Sequence, residues 1–284
     1  MSPVLPVFLL ALLLSACSAP RDVDRHAPAS AVSAAPKAEI SIPTQEQLAV
    51  LPEIAGILVE DRVLAGEVVL AADLLVPAGR TLTIRPGTRI YVVPSKSTKI
   101  DPEWLSSGTE LLVRGRLLVE GTEEEPVAFL PTEIPEGEEV GWAGILLDKA
   151  EPSRLAHVHI RQAESGVLCI ATAPEIRAGR IEGCRYGIIA QEKSAPLISG
   201  CRVENGEGGV FCWRGSNPHL QHSRIAGNAE EGLFVDATSQ PQLSDNEITG
   251  NAVGAVLHDP ALLLRNQVRD NSEDVVLLQE GGAK

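Results

Sequence analysis

The chain has 284 residues and a formal net charge of −14, from 38 acidic against 24 basic side chains, with 3% aromatic residues. That balance excludes the basic footprint of a nucleic-acid binder and disfavours unaided binding of acidic polysaccharides. With 44% hydrophobic residues, a chain of this length can bury a large core in one domain.

Residues 1–17 open with an apolar run, too short to span a bilayer comfortably, that ends in Leu14, Ser15, Ala16 and Cys17. The run reads as a signal peptide. Its last four residues resemble a bacterial lipobox, which implies cleavage before Cys17 and lipidation of that cysteine. No Lys or Arg precedes the run, so a plain secretory signal is the competing reading. Ser18 stands where sorted lipoproteins retained at the inner membrane carry Asp, and the resemblance therefore implies the outer membrane. Residues 18–50 are rich in Ala, Pro and Ser and read as a tether. Their last part, continuing to about residue 59, is expected to hold a short helix capping the open end of the domain downstream.

Residues 60–150 are expected to form strands with loop insertions. Eight glutamates lie between Glu120 and Glu139 without one Lys or Arg. Clustered carboxylates suit calcium, and a solvated acidic loop is the plainer alternative.

Residues 151–284 are periodic. Prolines recur at Pro152, Pro174, Pro196, Pro218, Pro241 and Pro260, a period of about 22 residues. Each is followed by Ile160, Ile181, Val203, Ile225, Ile248 or Val268, and then by Gly166, Gly187, Gly209, Gly232 or Gly254, with Asp274 in the last copy. After the glycine, apolar residues alternate, as in Val210 and Cys212 or Leu233 and Val235. Period two means strand. Asn205, Asn228, Asn251 and Asn271 are expected at equivalent turns, each bonded to its neighbour in the next coil.

At these residues, as in "LSDNEITGNAVGAVL", the chain resembles the right-handed parallel β-helix or pectin-lyase-like family. "LLVPAGRTLTIRPGTRIYV" and "WAGILL" resemble the opening coils of exported members. The resemblance covers roughly residues 60–282 and implies an all-β solenoid of about 22-residue coils, exported from the cytoplasm. Members of the family include lyases, hydrolases, epimerases and adhesins, so the fold does not choose among them.

Stacked coils turn outward positions into columns about 4.8 Å apart. One column holds His159, Arg180, Arg202 and Arg224. It reads either as a groove for an anionic group or as a ladder neutralised by Glu182 and Glu204. A second column, Leu168, Ile189, Phe211, Phe234, Val256 and Val276, is apolar throughout, with Trp213 on the same side as Phe211. Such a stripe calls for a cover: the chain's own N-terminal segment or a loop, a second subunit in a homo-oligomer, or a ligand.

Cys169, Cys184, Cys201 and Cys212 fall on inward positions and read as buried free thiols. His157 and His159 are expected to project together from one strand, but His222 is three coils away, so no metal set is assigned. The polygalacturonase motifs "NTD", "DD", "GHG" and "RIK" are absent, and no catalytic residue is assigned. The leading expectation is a non-catalytic, outer-membrane-anchored lipoprotein that binds a glycan or an envelope protein, touches the membrane through its lipid alone and binds no nucleic acid. A polysaccharide lyase, epimerase or hydrolase is the alternative, and a structural, oligomeric envelope component is the third.

Overall fold

The computed structural model describes residues 41–95 and 104–278. Cys17 and most of the 18–50 tether lie outside them. The described chain winds as a right-handed parallel β-solenoid of about 10 coils. Each regular coil places one strand on each of three faces.

The corner sheet has eight strands, from Arg62–Leu64 to Gln242–Ser244. The ladder sheet runs through Arg89–Val92, Val127–Pro131, Val158–Arg161, Arg180–Glu182, Arg202–Glu204, Arg224–Ala226, Glu247–Thr249 and Gln267–Val268. The stripe sheet runs through Glu110–Val113, Trp142–Asp148, Ala163–Ile170, Tyr186–Gln191, Gly208–Cys212, Glu231–Val235, Val253–Leu257 and Glu273–Leu277. The ten-residue strand Glu67–Val76 pairs along both the ladder and stripe faces and joins them.

Alternation decides what enters the core. Ile160, Ile181, Val203, Ile225 and Ile248 stack in register from the ladder sheet, each 0–2% exposed. Leu155, Ile176, Ile198, Leu220 and Leu243 do the same from the corner sheet, and Val167, Ile188, Val210, Leu233 and Ala255 from the stripe sheet. A residue slip in any strand would turn its apolar set into water. The glycine column is required by contact: a Cβ on Gly187 would stand 2.1 Å from Val203 Cγ1, and one on Gly209 2.2 Å from the Gly232 carbonyl oxygen.

Polar ladders close the corners. Asn228 Nδ2 donates to Asn251 Oδ1 at 2.9 Å, and Asn251 Nδ2 to Asn271 Oδ1 at 3.0 Å. Asn205 does not belong to this column. It sits one position earlier at φ 60°, in the left-handed turn shared with Gly227 and Gly250, while Gly206 occupies the ladder position and donates its N–H to Asn228 Oδ1. Left-handed backbone and inward amide are separate tasks at this corner, and asparagine suits both. A second corner carries Cys201, Ser223, Asn246 and Asn266 in the same role, each backbone N–H donating to the next side-chain oxygen.

The ends are less regular. A helix forms at Gln45–Leu48, capped reciprocally by Thr44 and Gln47, but it has no buried residue. Strand pairing begins at Glu53–Ile57, alongside Glu67–Val76. In the last copy a 3-10 turn, Pro260–Leu263, replaces the corner strand, and the final rung leaves the inward Val275 and Leu277 36% and 52% exposed.

All four described cysteines are buried free thiols. Burial pushes Cys169 and Cys184 up to about 12 and Cys201 up to about 11, and Cys212 higher still. The folded state therefore holds protons that the unfolded chain releases once pH passes its ordinary thiol value of 9.0. Stability from this source is complete below that value. As pH rises from there toward about 11 it should be lost progressively. Thiol reagent at neutral pH should find none of these four in the native protein and all four after denaturation without reductant. Two or fewer would mean that they are paired.

Candidate binding site

The stripe is longer than its six expected members. Leu75, Leu112 and Leu146 precede Leu168 in the same register, and Ile189, Phe211, Phe234, Val256 and Val276 follow it. Its upstream part is covered. Leu75, Leu112, Ala143 and Leu146 form an outer apolar cluster against which Trp104 and Leu168 pack. Trp104 comes from the insertion between Arg89–Val92 and Glu110–Val113, so the covering loop belongs to the chain itself, whereas residues 53–57 form a rung of the solenoid.

Downstream the stripe covers itself with aromatic rings. Phe211 is 4% exposed. Phe234 stacks on it at 5.8 Å with an interplanar angle of 18°. Tyr186 meets it edge-on at 5.2 Å and Trp213 at 5.4 Å, and Trp213 also meets Phe234 at 6.1 Å. Gly208 makes this possible: it stands in register with Tyr186, and a Cβ there would lie 2.4 Å from the Phe211 ring. Of the nine aromatic residues in the chain, four are thus gathered on three successive rungs of one outer face. Phe211 is the buried centre, while Tyr186, Trp213 and Phe234 remain half-exposed, one on each rung. Alternation counted after the glycine misses Tyr186, which stands before it. The signal for it was Gly208, the rung neighbour that leaves space for the Phe211 ring beside Tyr186.

Carboxylates line one edge of this platform. Arg185 Nη1 pairs with Glu164 at 2.6 Å and its Nε with Glu207 at 3.3 Å. Glu230 follows Glu207 on the next rung, its N–H donating to the Glu207 carbonyl at 2.7 Å. Burial and then the fields of Glu207, Glu230 and Glu164 raise the Tyr186 phenol above its ordinary range. On the far edge Asp236 stands one rung after Trp213. Burial opposes its charge, but bonds from the Arg214 N–H, Ser239 and Thr238 outweigh that and hold it below the usual carboxylate range. Glu164 and Arg185 also border a cleft of about 660 Å³ lined by Leu105, Val140 and Trp142.

The basic column is in register, His159 beside Arg180, Arg202 and Arg224, but its charges are largely engaged. Glu182 receives His159 Nε2 at 3.1 Å and Arg180 Nη2 at 2.7 Å. Burial opposes the Glu182 charge, yet these two contacts outweigh it and lower its pKa. Burial lowers the His159 pKa despite Glu182. Arg224 pairs with Glu204 at 3.4 Å and with Glu247, which takes the ladder position on the following rung. Arg202 is exposed and has no ion pair among the described residues.

His157 and His159 do not share a strand. His157 is the left-handed corner residue at φ 45° that precedes Val158–Arg161, in the column of His222. The eight glutamates are likewise divided, because Val127–Pro131 passes through the core between the turn at 121–126 and the loop at 132–141. Among the described residues, no three His, Cys, Asp or Glu side chains converge as a metal site.

Three faces of parallel strands and inward polar ladders are the marks of a β-helix. The family model for the right handed beta helix region matches residues 138–282, and the chain belongs to that family. No curated protein matches it in sequence. Among solved structures, the A-module of the Azotobacter vinelandii mannuronan C-5 epimerase AlgE4 is similar at 15% identity and a TM-score of 0.40, over 78% of this chain and 72% of that one.

Proposed function

We propose that this protein is a β-helix lipoprotein, held in the outer membrane through Cys17, that binds a glycan on its stripe face without altering it. The observation that supports the reading is the placement of Tyr186, Trp213 and Phe234, one half-exposed aromatic side chain on each of three successive rungs. Aromatic surface of this kind is amphipathic and stiff, and it loses little conformational freedom on contact with a flat, polar-edged ligand. The three side chains lie in neighbouring columns, so the surface they offer runs obliquely across the strands. The basic column is the weaker candidate, since Glu182, Glu204 and Glu247 already pair with three of its four members.

Cys17→Ser should release the full chain from membranes in soluble form, because none of the described helices is long and apolar enough to cross a membrane. With that soluble protein, glycan-array and calorimetric binding should detect an oligosaccharide. Trp213→Ala combined with Phe234→Ser should weaken it by ~10-fold or more, from about 0.5–1.5 kcal/mol per ring contact. Undiminished affinity in the double variant would remove the stripe as the site. Absence of any glycan binding by the parent protein would remove the function, and membrane retention of Cys17→Ser would remove the anchor.

A further inference from the structure

The two ends of the solenoid are open in complementary ways, and we propose that they are the two halves of one interface, through which copies of this chain stack head to tail. Of the nine large apolar side chains exposed among the described residues, eight lie within residues 42–63 and 264–277. They include Ile57, Val59 and Val63 at the first end and Leu264, Val275 and Leu277 at the last. Each end also presents strands paired on one side only: Glu53–Ile57 and Arg62–Leu64 at the first, Gln267–Val268 and Glu273–Leu277 at the last. Bare strand edges beside apolar side chains are a template for further pairing. The helix Gln45–Leu48 buries none of its own residues, and residues 279–284 hold no large apolar side chain. Neither supplies an apolar cover.

The columns fix how two copies meet. Glu53 heads the outward column that passes through Val69, Tyr91, Glu182 and Glu204 and ends at Arg269. Ile57 heads the stripe, which ends at Val276, and Leu58 heads the inward column that ends at Leu277. A second copy set one coil beyond the last, on the same axis, continues each column. Glu53 then falls beside Arg269, Ile57 beside Val276 and Leu58 beside Leu277. Apolar meets apolar, every strand stays parallel, and Glu53, exposed and without an ion pair among the described residues, gains a cation. Arg62, which takes the inward column of Leu82 and Leu117, comes over the 3-10 turn that Asp259 caps. Joining like ends does the reverse. Two last rungs would run antiparallel and set Asp270, Glu273 and Asp274 against their own copies. A head-to-tail contact along the axis does not close on itself, so it extends into a rod.

Sedimentation velocity of the full-length Cys17→Ser protein at rising concentration tests this. The parent should form oligomers that lengthen with concentration. Ile57→Lys and Leu277→Lys each change an exposed side chain, so their circular dichroism should match the parent while each alone sediments as a monomer. An equal mixture of the two should stop at dimers, because each variant keeps one sound end. Ile57→Cys with Val276→Cys should give a ladder of interchain disulfides on oxidation, since rung neighbours ~4.8 Å apart are within reach of a disulfide and the four described native thiols are buried. A parent that stays monomeric and gives no ladder overturns the proposal. A dimer of either lysine variant alone overturns it by showing that like ends join, and oligomers that survive both lysine substitutions in one chain overturn it by placing the contact elsewhere.

Discussion

Ile225→Asp should lower stability by at least ~4 kcal/mol, a large part of the 5–15 kcal/mol that holds a typical domain. Ile225 is fully buried in the ladder stack between Val203 and Ile248, with its Cγ2 filling the space where a Cβ on Gly209 would have to go. Replacement removes a branched aliphatic side chain from a column that has no room to collapse, because each rung is fixed by the two beside it. It also places a carboxyl between the apolar side chains of Val203 and Ile248. That group's folded pKa would be raised, so the loss should shrink as pH falls below the ordinary carboxylate range and grow as pH rises above it. Ile225→Val, which deletes one methylene, should cost only about 0.5–1.5 kcal/mol. Urea midpoints followed by circular dichroism compare the two variants. Near-equal midpoints would show that this column is not the core.

Asn251→Asp should be nearly as damaging, by ~3 kcal/mol or more, although it changes a single atom. The Asn251 amide nitrogen donates to the Ile225 carbonyl at 3.2 Å, the Thr249 carbonyl at 3.3 Å and Asn271 Oδ1 at 3.0 Å. Its oxygen accepts from the Asn228 backbone N–H at 3.0 Å and side-chain amide at 2.9 Å. An aspartate keeps the acceptor and loses every donor, leaving an oxygen aimed at three oxygens in a site 2% exposed. Asn271→Asp should cost less, since Asn271 lies in the final coil and is only half-buried. Thermal denaturation of the two variants gives the comparison, and equal losses would mean that burial does not set the cost.

Much of this architecture was readable because a solenoid repeats its instructions. Alternation after each glycine places Val210, Cys212, Leu233 and Val235 inward, and the coil period stacks them without further information. Periodicity failed where one residue type serves two neighbouring purposes. Asn205 and Asn228 occupy adjacent positions of the corner, one chosen for backbone and the other for its amide. Insertions were also opaque, because nothing in the spacing of Trp104 announces that it packs against the outward cluster of Leu112 and Leu146. The candidate site fell between these cases. Phe211, Phe234 and Trp213 follow from their columns, whereas Tyr186 depends on the space left by Gly208, and the engagement of Arg180 and Arg224 depends on side-chain conformations that a column does not specify.

The final rung, Glu273–Leu277, pairs on one side only, and its inward Val275 and Leu277 remain open to water. In a stack where each coil touches only the coils beside it, a rung paired on one side has half the support of an interior rung. Loss of order can start at Glu273 and travel toward Trp213 one rung at a time. The Asn228, Asn251 and Asn271 ladder crosses that route and acts as a brake on it. The aromatic face, with Phe234 two rungs inside, is paired on both sides.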